Sequence, residues 1–323
     1  MKKIIALTLT ATLMVSLTAC GTKEDDQPKE EKTKIGILQL LEHPAMDMAK
    51  EGFIKALEEN GYAQGENLEI DFQNAQNDQS NLYTMSQRLV GDKNSLVLAI
   101  GTGAAQSLAS LTKEMPIVIT AVTDPVDAGV VTSLEIPGTN VTGTTDAAPI
   151  KEQIELLAQL TENCKKIGVL YTSSEDNSVL QARQAKEIIN GLGYEYVEQT
   201  ITSAGDVQQA TQSLVDKCDG IYIPTDNTLA AAMALVGNIV KESKTPVVCG
   251  DTSMTLTGGL ATLGLNYYNL GYQTGEIAMR ILKGEDPSKI AVEAQKSYDY
   301  VVSKEMAQAL DIKIPTELEK YVQ

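Results

Sequence analysis

Short apolar runs alternate with longer amphipathic stretches along the chain from residue 34 onward. Runs such as 34–40 (KIGILQL) and 96–102 (LVLAIGT) are rich in aliphatic residues and predict buried strands. Stretches between them, such as 150–163 (IKEQIELLAQLTEN), repeat apolar residues at helical spacing and predict helices. Strands alternating with helices at this spacing predict βαβ units, and therefore parallel sheets with helices on both faces. The predicted strands are 34–40, 68–75, 96–102, 116–122, 166–172, 194–201, 220–226, 246–251, 259–266 and 297–303.

The same alternation repeats at the scale of a domain. Residues 34–62 run from KIGILQL through a predicted helix to Gly-Tyr, and residues 166–194 run from KIGVLYT through a helix to Gly-Tyr. Each glycine ends a helix that packs back before the next strand. We therefore predict an α/β fold with two similar, doubly wound halves, the second beginning near 147–165. The segment 140–153 would leave the first half and enter the second, and 259–284 does not obviously belong to the second sheet alone. Residues 296–315 add one more strand and helix at the end, and several crossings between the lobes would form a hinge.

The N-terminus carries an export signal of a particular kind. Lys2 and Lys3 precede an apolar run (IIALTLTATLMVSL) that is too short for a comfortable membrane span, and Leu17-Thr18-Ala19-Cys20 matches the bacterial lipobox. We predict a signal peptide at 1–19, a diacylglycerol anchor on Cys20 and a polar tether at 20–33. The alternative is an ordinary signal peptide with a cysteine placed there by chance. The lipobox predicts an extracytoplasmic protein that is lipid-anchored to the cell membrane.

Charge and composition exclude several classes of protein. The formal net charge is −17, which disfavours nucleic acid as a partner. Three cysteines follow Cys20, and we predict free thiols at Cys164, Cys218 and Cys249, because an odd number cannot all pair and no zinc-ligand spacing occurs. With a single histidine, we expect no metal site and no cofactor. No GxSxG elbow or other placed nucleophile occurs, so we expect no enzyme.

Polar side chains follow six of the predicted strands, at the edge where an open parallel sheet binds ligands. Each such residue could equally be a helix cap, but a helix needs only one cap and several strand ends carry more. Glu175 and Asp176 are assigned instead to the helix dipole, contacts between lobes or solvent. The candidates are Gln39, His43, Thr102, Gly103, Thr123, Asp124, Ser173, Ser174, Asn177, Asp226, Asn227 and Asp251.

Two of these candidates have specific alternatives. Residues 101–103 (GTG) open a predicted helix whose free N–H groups could hold a carboxylate. They do not form the dinucleotide-binding motif, because Gln106 stands where that motif needs its third glycine. His43 could stack on or hydrogen-bond a ligand, and it could equally be a surface histidine before a proline.

Several motifs together resemble one family. The lipobox, KIGILQLLEHPAMD, GTGAAQSLA, VTDPVDAGVV, NVTG, YTSSEDNS, IPTDNT and GGLATLGLNYYNLGYQTGEIAMRILKGEDP are similar to the substrate-binding lipoproteins of ABC transporters of the tryptophan/tyrosine-type group. The resemblance covers nearly all of 34–323. It implies two Rossmann-like lobes of the type I periplasmic-binding-protein kind, joined by three crossings. It places the first lobe at 34–146 plus 264–285 and the second at 147–263 plus 286–323.

The resemblance also implies a function. The strand-end residues would face a cleft that closes on a small molecule and delivers it to an ABC permease, with the protein acting as a monomer. An α-amino acid needs a carboxylate for its ammonium group, for which Asp124, Asp226 and Asp251 are candidates, and donors for its own carboxylate. We therefore expect an amino acid ligand, and an aromatic one. The alternatives are a sugar- or nucleoside-type ligand on the same fold and a receptor subunit that presents its ligand to a membrane sensor.

Overall fold

Two six-stranded sheets form the centres of two lobes. The computed structural model describes residues 32–323, so the predicted signal peptide and Cys20 lie outside the described residues. The first sheet has the order β11-β5-β4-β3-β1-β2, and all its pairings are parallel. Its strands are β1 (Thr33–Gln39), β2 (Leu68–Asn74), β3 (Leu96–Ile100), β4 (Ile117–Thr120), β5 (Val141–Thr145) and β11 (Glu293–Ala294).

The second sheet repeats this order as β12-β10-β9-β8-β6-β7, and its only antiparallel pairing in the described chain joins β10 to β12. Its strands are β6 (Lys166–Thr172), β7 (Glu195–Ile201), β8 (Gly220–Ile223), β9 (Val247–Cys249), β10 (Ala261–Gly264) and β12 (Asp299–Val302). The shared order confirms the predicted α/β class with two similar, mainly parallel lobes.

Helices cover both sheets, as their amphipathic patterns predict. The first lobe carries α1 (Pro44–Glu59), α2 (Gln79–Gly91), α3 (Thr102–Leu111) and α10 (Tyr267–Leu282). The second carries α4 (Ile150–Leu160), α5 (Asp176–Gly191), α6 (Val207–Val215), α7 (Asn227–Ala231), α8 (Met233–Ser243), α9 (Thr252–Gly258) and α11 (Lys304–Ala309). Short 3₁₀ helices lie at Ala204–Asp206, Pro287–Lys289 and Thr316–Tyr321. Between residues 32 and 323, no helix combines the length and apolar character that a membrane crossing requires.

The chain passes between the lobes three times, as predicted. The first crossing follows β5 at residues 146–149, the second follows β10 at 265–266, and the third follows β11 at 295–298. Each lobe has its own mainly aliphatic core, in which strands such as β3 are wholly buried. The crossings therefore connect two separately packed bodies.

The sequence prediction did not include strands β5 and β11, and β11 corrects the predicted boundary of the second lobe. Residues 140–153 were expected to be only a passage between lobes, but Val141–Thr145 forms β5 beside β4. Its Gly143 has a φ of 146°, and a Cβ there would lie 2.1 Å from the Ile119 carbonyl oxygen. The boundary that assigned 286–323 to the second lobe is wrong for its first part, because β11 pairs with β5 in the first sheet.

Candidate functional site

The two lobes touch across the carboxyl ends of their strands. His43 Nε2 of the first lobe lies 3.3 Å from Asn227 Oδ1 of the second. Gln106 Nε2 donates to Asp176 Oδ2 at 3.1 Å, and Gln181 Nε2 lies 3.5 Å from Thr123 Oγ1. Gln106, which breaks the dinucleotide fingerprint, thus contacts the opposite lobe, and Asp176 makes an interlobe contact. The facing strand ends form the candidate site.

Glu175 holds Asn227 in position for this contact. The backbone and side-chain N–H groups of Asn227 donate to Glu175 Oε2 at 2.9 and 2.7 Å. The backbone N–H and hydroxyl of Thr228 donate to Glu175 Oε1 at 2.9 and 2.7 Å. Glu175 is buried, so its carboxylate serves the start of α7 rather than solvent. The sequence could not show this, because these partners lie 52 and 53 residues away along the chain.

The side chain of Asp226 is bound within its own lobe. Its Oδ2 accepts from the Thr172 N–H at 2.6 Å, and its Oδ1 accepts from the Thr172 hydroxyl at 2.8 Å and from the Leu229 N–H at 2.9 Å. Burial, together with the charge of Glu175, raises the pKa of Asp226 to about 7. Both oxygens are engaged, which makes Asp226 a capping and bracing residue in this arrangement.

Asp251 lies near His43 and keeps one oxygen open. Its Oδ1 accepts from the Ser253 N–H at 2.7 Å, the Ser253 hydroxyl at 2.6 Å and the Met254 N–H at 2.9 Å, at the start of α9. No hydrogen bond within residues 32–323 involves its Oδ2. Burial lowers the pKa of His43, while the charges of Asp251 and Glu175 and the bond to Asn227 act in the opposite direction. A neutral His43 imidazole beside Asp251 follows.

The sequence prediction missed Asp146, which directly follows β5 at the first crossing. Its Oδ2 accepts from the Tyr267 hydroxyl at 2.6 Å, and its Oδ1 is buried without a partner. Burial and the nearby charge of Asp251 raise the pKa of Asp146, although the hydroxyls of Tyr267 and Thr123 act in the opposite direction. Tyr298 of the third crossing donates to the Ala147 carbonyl at 2.9 Å. Had β5 been recognised, Asp146 would have been a strand-end candidate like the others.

Three of the six unpartnered buried side-chain atoms of residues 32–323 lie at or after the carboxyl ends of strands of the first sheet, on the side of the cleft. Besides Asp146 Oδ1, they are Gln39 Oε1 and His43 Nδ1. The other end of the Gln39 amide is fixed, because Nε2 donates to Asp47 Oδ1 at 3.0 Å and to the Leu41 carbonyl at 2.9 Å. Buried polar atoms in folded proteins are normally paired, so this group has the character of a site that receives polar atoms from a ligand or water.

A narrow crevice between the lobes brings together three further predicted residues. Thr102 at the start of α3, Asp124 and Asn177 line it. Asp124 Oδ1 accepts from the backbone N–H groups of residues 126 and 127, and Asn177 Nδ2 donates to the Thr225 carbonyl at 3.0 Å. Gly103 packs instead toward Leu40, where an added Cβ would lie 3.2 Å from Cδ1.

Ser173 and Ser174 are directed elsewhere. Both are exposed, and their hydroxyls lie 3.0 Å from the Ile201 carbonyl oxygen and 3.5 Å from that of Thr202, respectively. These carbonyls lie at the end of β7, the edge strand of the second sheet. The described contacts place neither serine against the first lobe, and their role in ligand binding stays a prediction.

A groove of about 590 Å³ opens beside His43 and Asp251. Their chain neighbours Pro44 and Thr252 form part of its wall. Its apolar surface comes from Met48, Leu256, Tyr298, Tyr300 and Tyr321, so both lobes contribute to it. A groove of this size and composition is in the range of small-molecule sites.

The cleft is acidic, and within residues 32–323 its buried carboxylates have no basic partner. Asp146, Glu175, Asp226 and Asp251 are all at most 7% exposed, and none of them joins a salt bridge within the described chain. Among residues 32–323, no group of three or more His, Cys, Asp or Glu side chains is arranged to hold a metal ion. Buried carboxylates without a protein cation favour a ligand that brings positive charge.

Two parallel-sheet lobes, joined by three crossings and meeting over polar strand ends, define a two-lobed solute-binding protein with the type I periplasmic-binding-protein fold. Residues 34–323 match the family described as ABC transporter substrate binding protein. The chain belongs to this family, whose members are solute-binding proteins rather than enzymes and act outside the cytoplasm with a permease.

The chain is similar to proteins from two groups of bacteria, clostridia and streptococci. It is 41% identical to the tyrosine-binding protein of Clostridioides difficile (strain R20291), over 99% of this chain and 96% of that protein. An ABC domain from Streptococcus pneumonia in complex with L-Trp is 38% identical, covers 91% of this chain and 100% of its own, and superimposes with a TM-score of 0.87. A ligand-free, open substrate-binding protein with adhesive properties from Clostridium difficile is 44% identical over 90% of this chain and 98% of its own, with a TM-score of 0.71.

The two structural relatives differ in how well they superimpose. The open structure has the higher sequence identity but the lower TM-score, 0.71 against 0.87. The backbone of this chain therefore superimposes better on the L-Trp complex than on the ligand-free, open structure.

Proposed function

We propose that this protein captures an aromatic amino acid between its lobes and delivers it to the permease of an ABC importer. The observation that carries the proposal is the similarity to a tyrosine-binding protein at 41% identity over 99% of the chain. A relative in complex with L-Trp supports the same class of ligand. Sequence similarity to these proteins is thus the main support for the ligand class, and the residues of the cleft are the second.

The chemistry of the cleft agrees with an amino acid. Its buried carboxylates suit an ammonium group, since charge-assisted hydrogen bonds are the strongest that a site can offer. Thr102 opens α3, whose N-terminal N–H groups favour a carboxylate. The neighbouring groove offers methionine, leucine and tyrosine surface to an aromatic ring. Each part of an aromatic amino acid therefore has a suitable partner.

Binding would couple to closure of the lobes. The contacts His43–Asn227 and Gln106–Asp176 join opposite lobes, so they form only when the lobes are together. A ligand that contacts both lobes favours this state by the difference between its affinities for the closed and open forms. The closed form is then the one that the permease receives. We further propose that the chain is held at the membrane by an acylated Cys20 and works as a monomer.

Titration calorimetry of the purified protein against the twenty amino acids tests the proposal. We expect heat with tyrosine, tryptophan or phenylalanine and a smaller radius of gyration by X-ray scattering in the same sample. The absence of heat with every amino acid would overturn the proposed ligand class. Uptake of the labelled ligand by cells with and without the gene tests delivery to a permease.

A further inference from the structure

Two carboxylates from opposite sides of the cleft each retain a free oxygen. Asp146 belongs to the crossing that leaves the first sheet, and Asp251 follows β9 of the second sheet. Asp146 is 3% exposed and Asp251 is 2% exposed. We propose that Asp146 and Asp251 together hold the ammonium group of the ligand and so make closure of the lobes depend on a cationic amine. This inference rests on the proposed function, because it assigns a role within the same cleft.

The free oxygen of Asp146 is fixed in place. Tyr267, the first residue of α10, donates to Oδ2 at 2.6 Å, and the Asp146 N–H donates to the Val122 carbonyl at 3.2 Å. Oδ1 is left buried without a partner. A buried carboxylate oxygen without a donor is costly, and a ligand N–H would remove that cost.

The second carboxylate is tied to the same crossing. Asp251 forms an isolated parallel bridge with Leu265, two residues before Tyr267, and Thr252 Oγ1 donates to the Leu265 carbonyl at 3.0 Å. Three donors at the start of α9 occupy Asp251 Oδ1, which leaves Oδ2 for a ligand. The segment from Leu265 to Tyr267 therefore connects one carboxylate to the other.

The surroundings of the pair favour an ammonium group over other occupants. The titratable groups beside the pair include His43 and Cys249 near Asp251 and Tyr267 and Tyr298 near Asp146, and none of these is a permanent cation. The described residues hold no three-ligand metal cluster. An ammonium group has three N–H donors, so one group can serve both free oxygens.

The placement has a consequence for selectivity. With no cation present, two carboxylates that approach in a dry cleft repel each other, and this opposes closure. An ammonium between them converts that repulsion into two charge-assisted bonds. A ligand of the same shape without the amine would leave the repulsion in place, so the pair excludes it.

Calorimetry with L-tyrosine and its desamino analogue, 3-(4-hydroxyphenyl)propionate, tests the inference. We expect the wild-type protein to bind the analogue at least about 30-fold more weakly than L-tyrosine, because two charged bonds are lost. Asp146→Asn and Asp251→Asn should each weaken L-tyrosine binding by about 10-fold or more. The double variant should bind both compounds within about 3-fold of each other, since it lacks the charge that separates them.

A matched control and a folding check accompany these variants. Asp286 also caps a short helix, with Oδ1 accepting from the Ser288 N–H at 3.0 Å, and it lies by the amino ends of β4 and β5, away from the cleft. Asp286→Asn should bind L-tyrosine as the wild type does. Near-ultraviolet circular dichroism and melting establish that each variant is folded. Should Asp146→Asn misfold, Tyr267→Phe, which leaves the carboxylate in place, should keep the preference for L-tyrosine.

The outcomes separate this inference from the proposed function. If L-tyrosine binds but the double variant still rejects the desamino analogue as strongly as wild type, the ammonium assignment is wrong and the proposed function stands. If the wild type binds the analogue as tightly as L-tyrosine, the assignment is also wrong. If L-tyrosine, L-tryptophan and L-phenylalanine all fail to bind wild type, the proposed function and this inference both fall.

Discussion

His43 Nε2 in the first lobe and Asn227 Oδ1 in the second lie 3.3 Å apart, and a third residue determines how they interact. Glu175 accepts from Asn227 Nδ2, which leaves the amide oxygen to face the imidazole. His43 must therefore donate from Nε2, so its buried Nδ1 is an acceptor in the neutral ring. A carboxylate of the second lobe thus sets the tautomer of a histidine in the first.

Removing this contact should weaken ligand binding. His43→Ala removes one hydrogen bond of the closed state, worth about 0.5–1.5 kcal/mol, so we expect affinity for the amino acid to fall by about 2- to 13-fold. Calorimetry on the purified variant measures the change, and chemical denaturation should show that the protein remains folded. Asn190→Ala, at an exposed position on α5, is the control and should bind like wild type. An affinity equal to that of wild type in His43→Ala would exclude the contact as a determinant of closure.

Asp226 should make the protein less stable as the pH rises. Its folded-state pKa of about 7 is above the ordinary 3.8, so the folded protein binds this proton more tightly than the unfolded chain. The stabilisation is complete below about pH 3.8 and is lost as the pH rises through about 7. Urea unfolding from pH 5 to 8 should therefore show a steeper decline in wild type than in Asp226→Asn.

A second variant separates the two causes of this shift. Burial and the charge of Glu175 both raise the pKa of Asp226, and Glu175→Gln removes the second cause. The loss of stability with rising pH should therefore occur at lower pH in this variant than in wild type. If wild type and Asp226→Asn show the same dependence on pH, Asp226 is ionised in the folded protein throughout this range and the prediction fails.

The sequence was informative about regular elements and less so about what lies between them. Strands such as β1, β6 and β7 were located to within a residue or so, because apolar runs bounded by turn residues report burial directly. β5 was missed because VTGTT lacks such a run, and the positive φ of Gly143 and the close approach of the Ile119 backbone explain its glycine only once the fold is known. β11 has two residues, too few for any periodicity.

The candidate site was predicted in outline for similar reasons. Strand ends pointed to Gln39, His43, Asn227 and Asp251, which the fold brings to the face between the lobes. Asp146 was not predicted because its strand, β5, was not predicted. Solvent was among the roles expected for Glu175, whereas its side chain is buried. Their partners come from distant parts of the chain, so local patterns carry no signal of their burial. The ligand roles of all these residues stay predictions until binding is measured.

Cys20 should decide where the protein resides. If the lipobox is processed as predicted, Cys20→Ser removes the acceptor of the acyl chains, whose buried methylenes each add about 0.8 kcal/mol to membrane binding. We expect the wild-type chain in the detergent phase after phase separation, and the variant in the aqueous phase without the added lipid mass. Cys164→Ser alters a half-buried thiol within the second lobe and should leave the wild-type partition unchanged. A Cys20→Ser protein that still enters the detergent phase would contradict the anchor.

Gly271 should be among the least replaceable residues of the first lobe. It lies where α10 packs on α1, and a Cβ there would lie 1.9 Å from the Ala49 carbonyl oxygen. Because that atom is backbone, the helices must separate, and we expect Gly271→Ala to lower the free energy of unfolding by about 3 kcal/mol. Gly191, the last residue of α5, has nothing within 4 Å of an added Cβ, so Gly191→Ala should gain about 0.5 kcal/mol. Urea denaturation of both variants tests the contrast, and equal stabilities would show that α1 and α10 can separate at little cost.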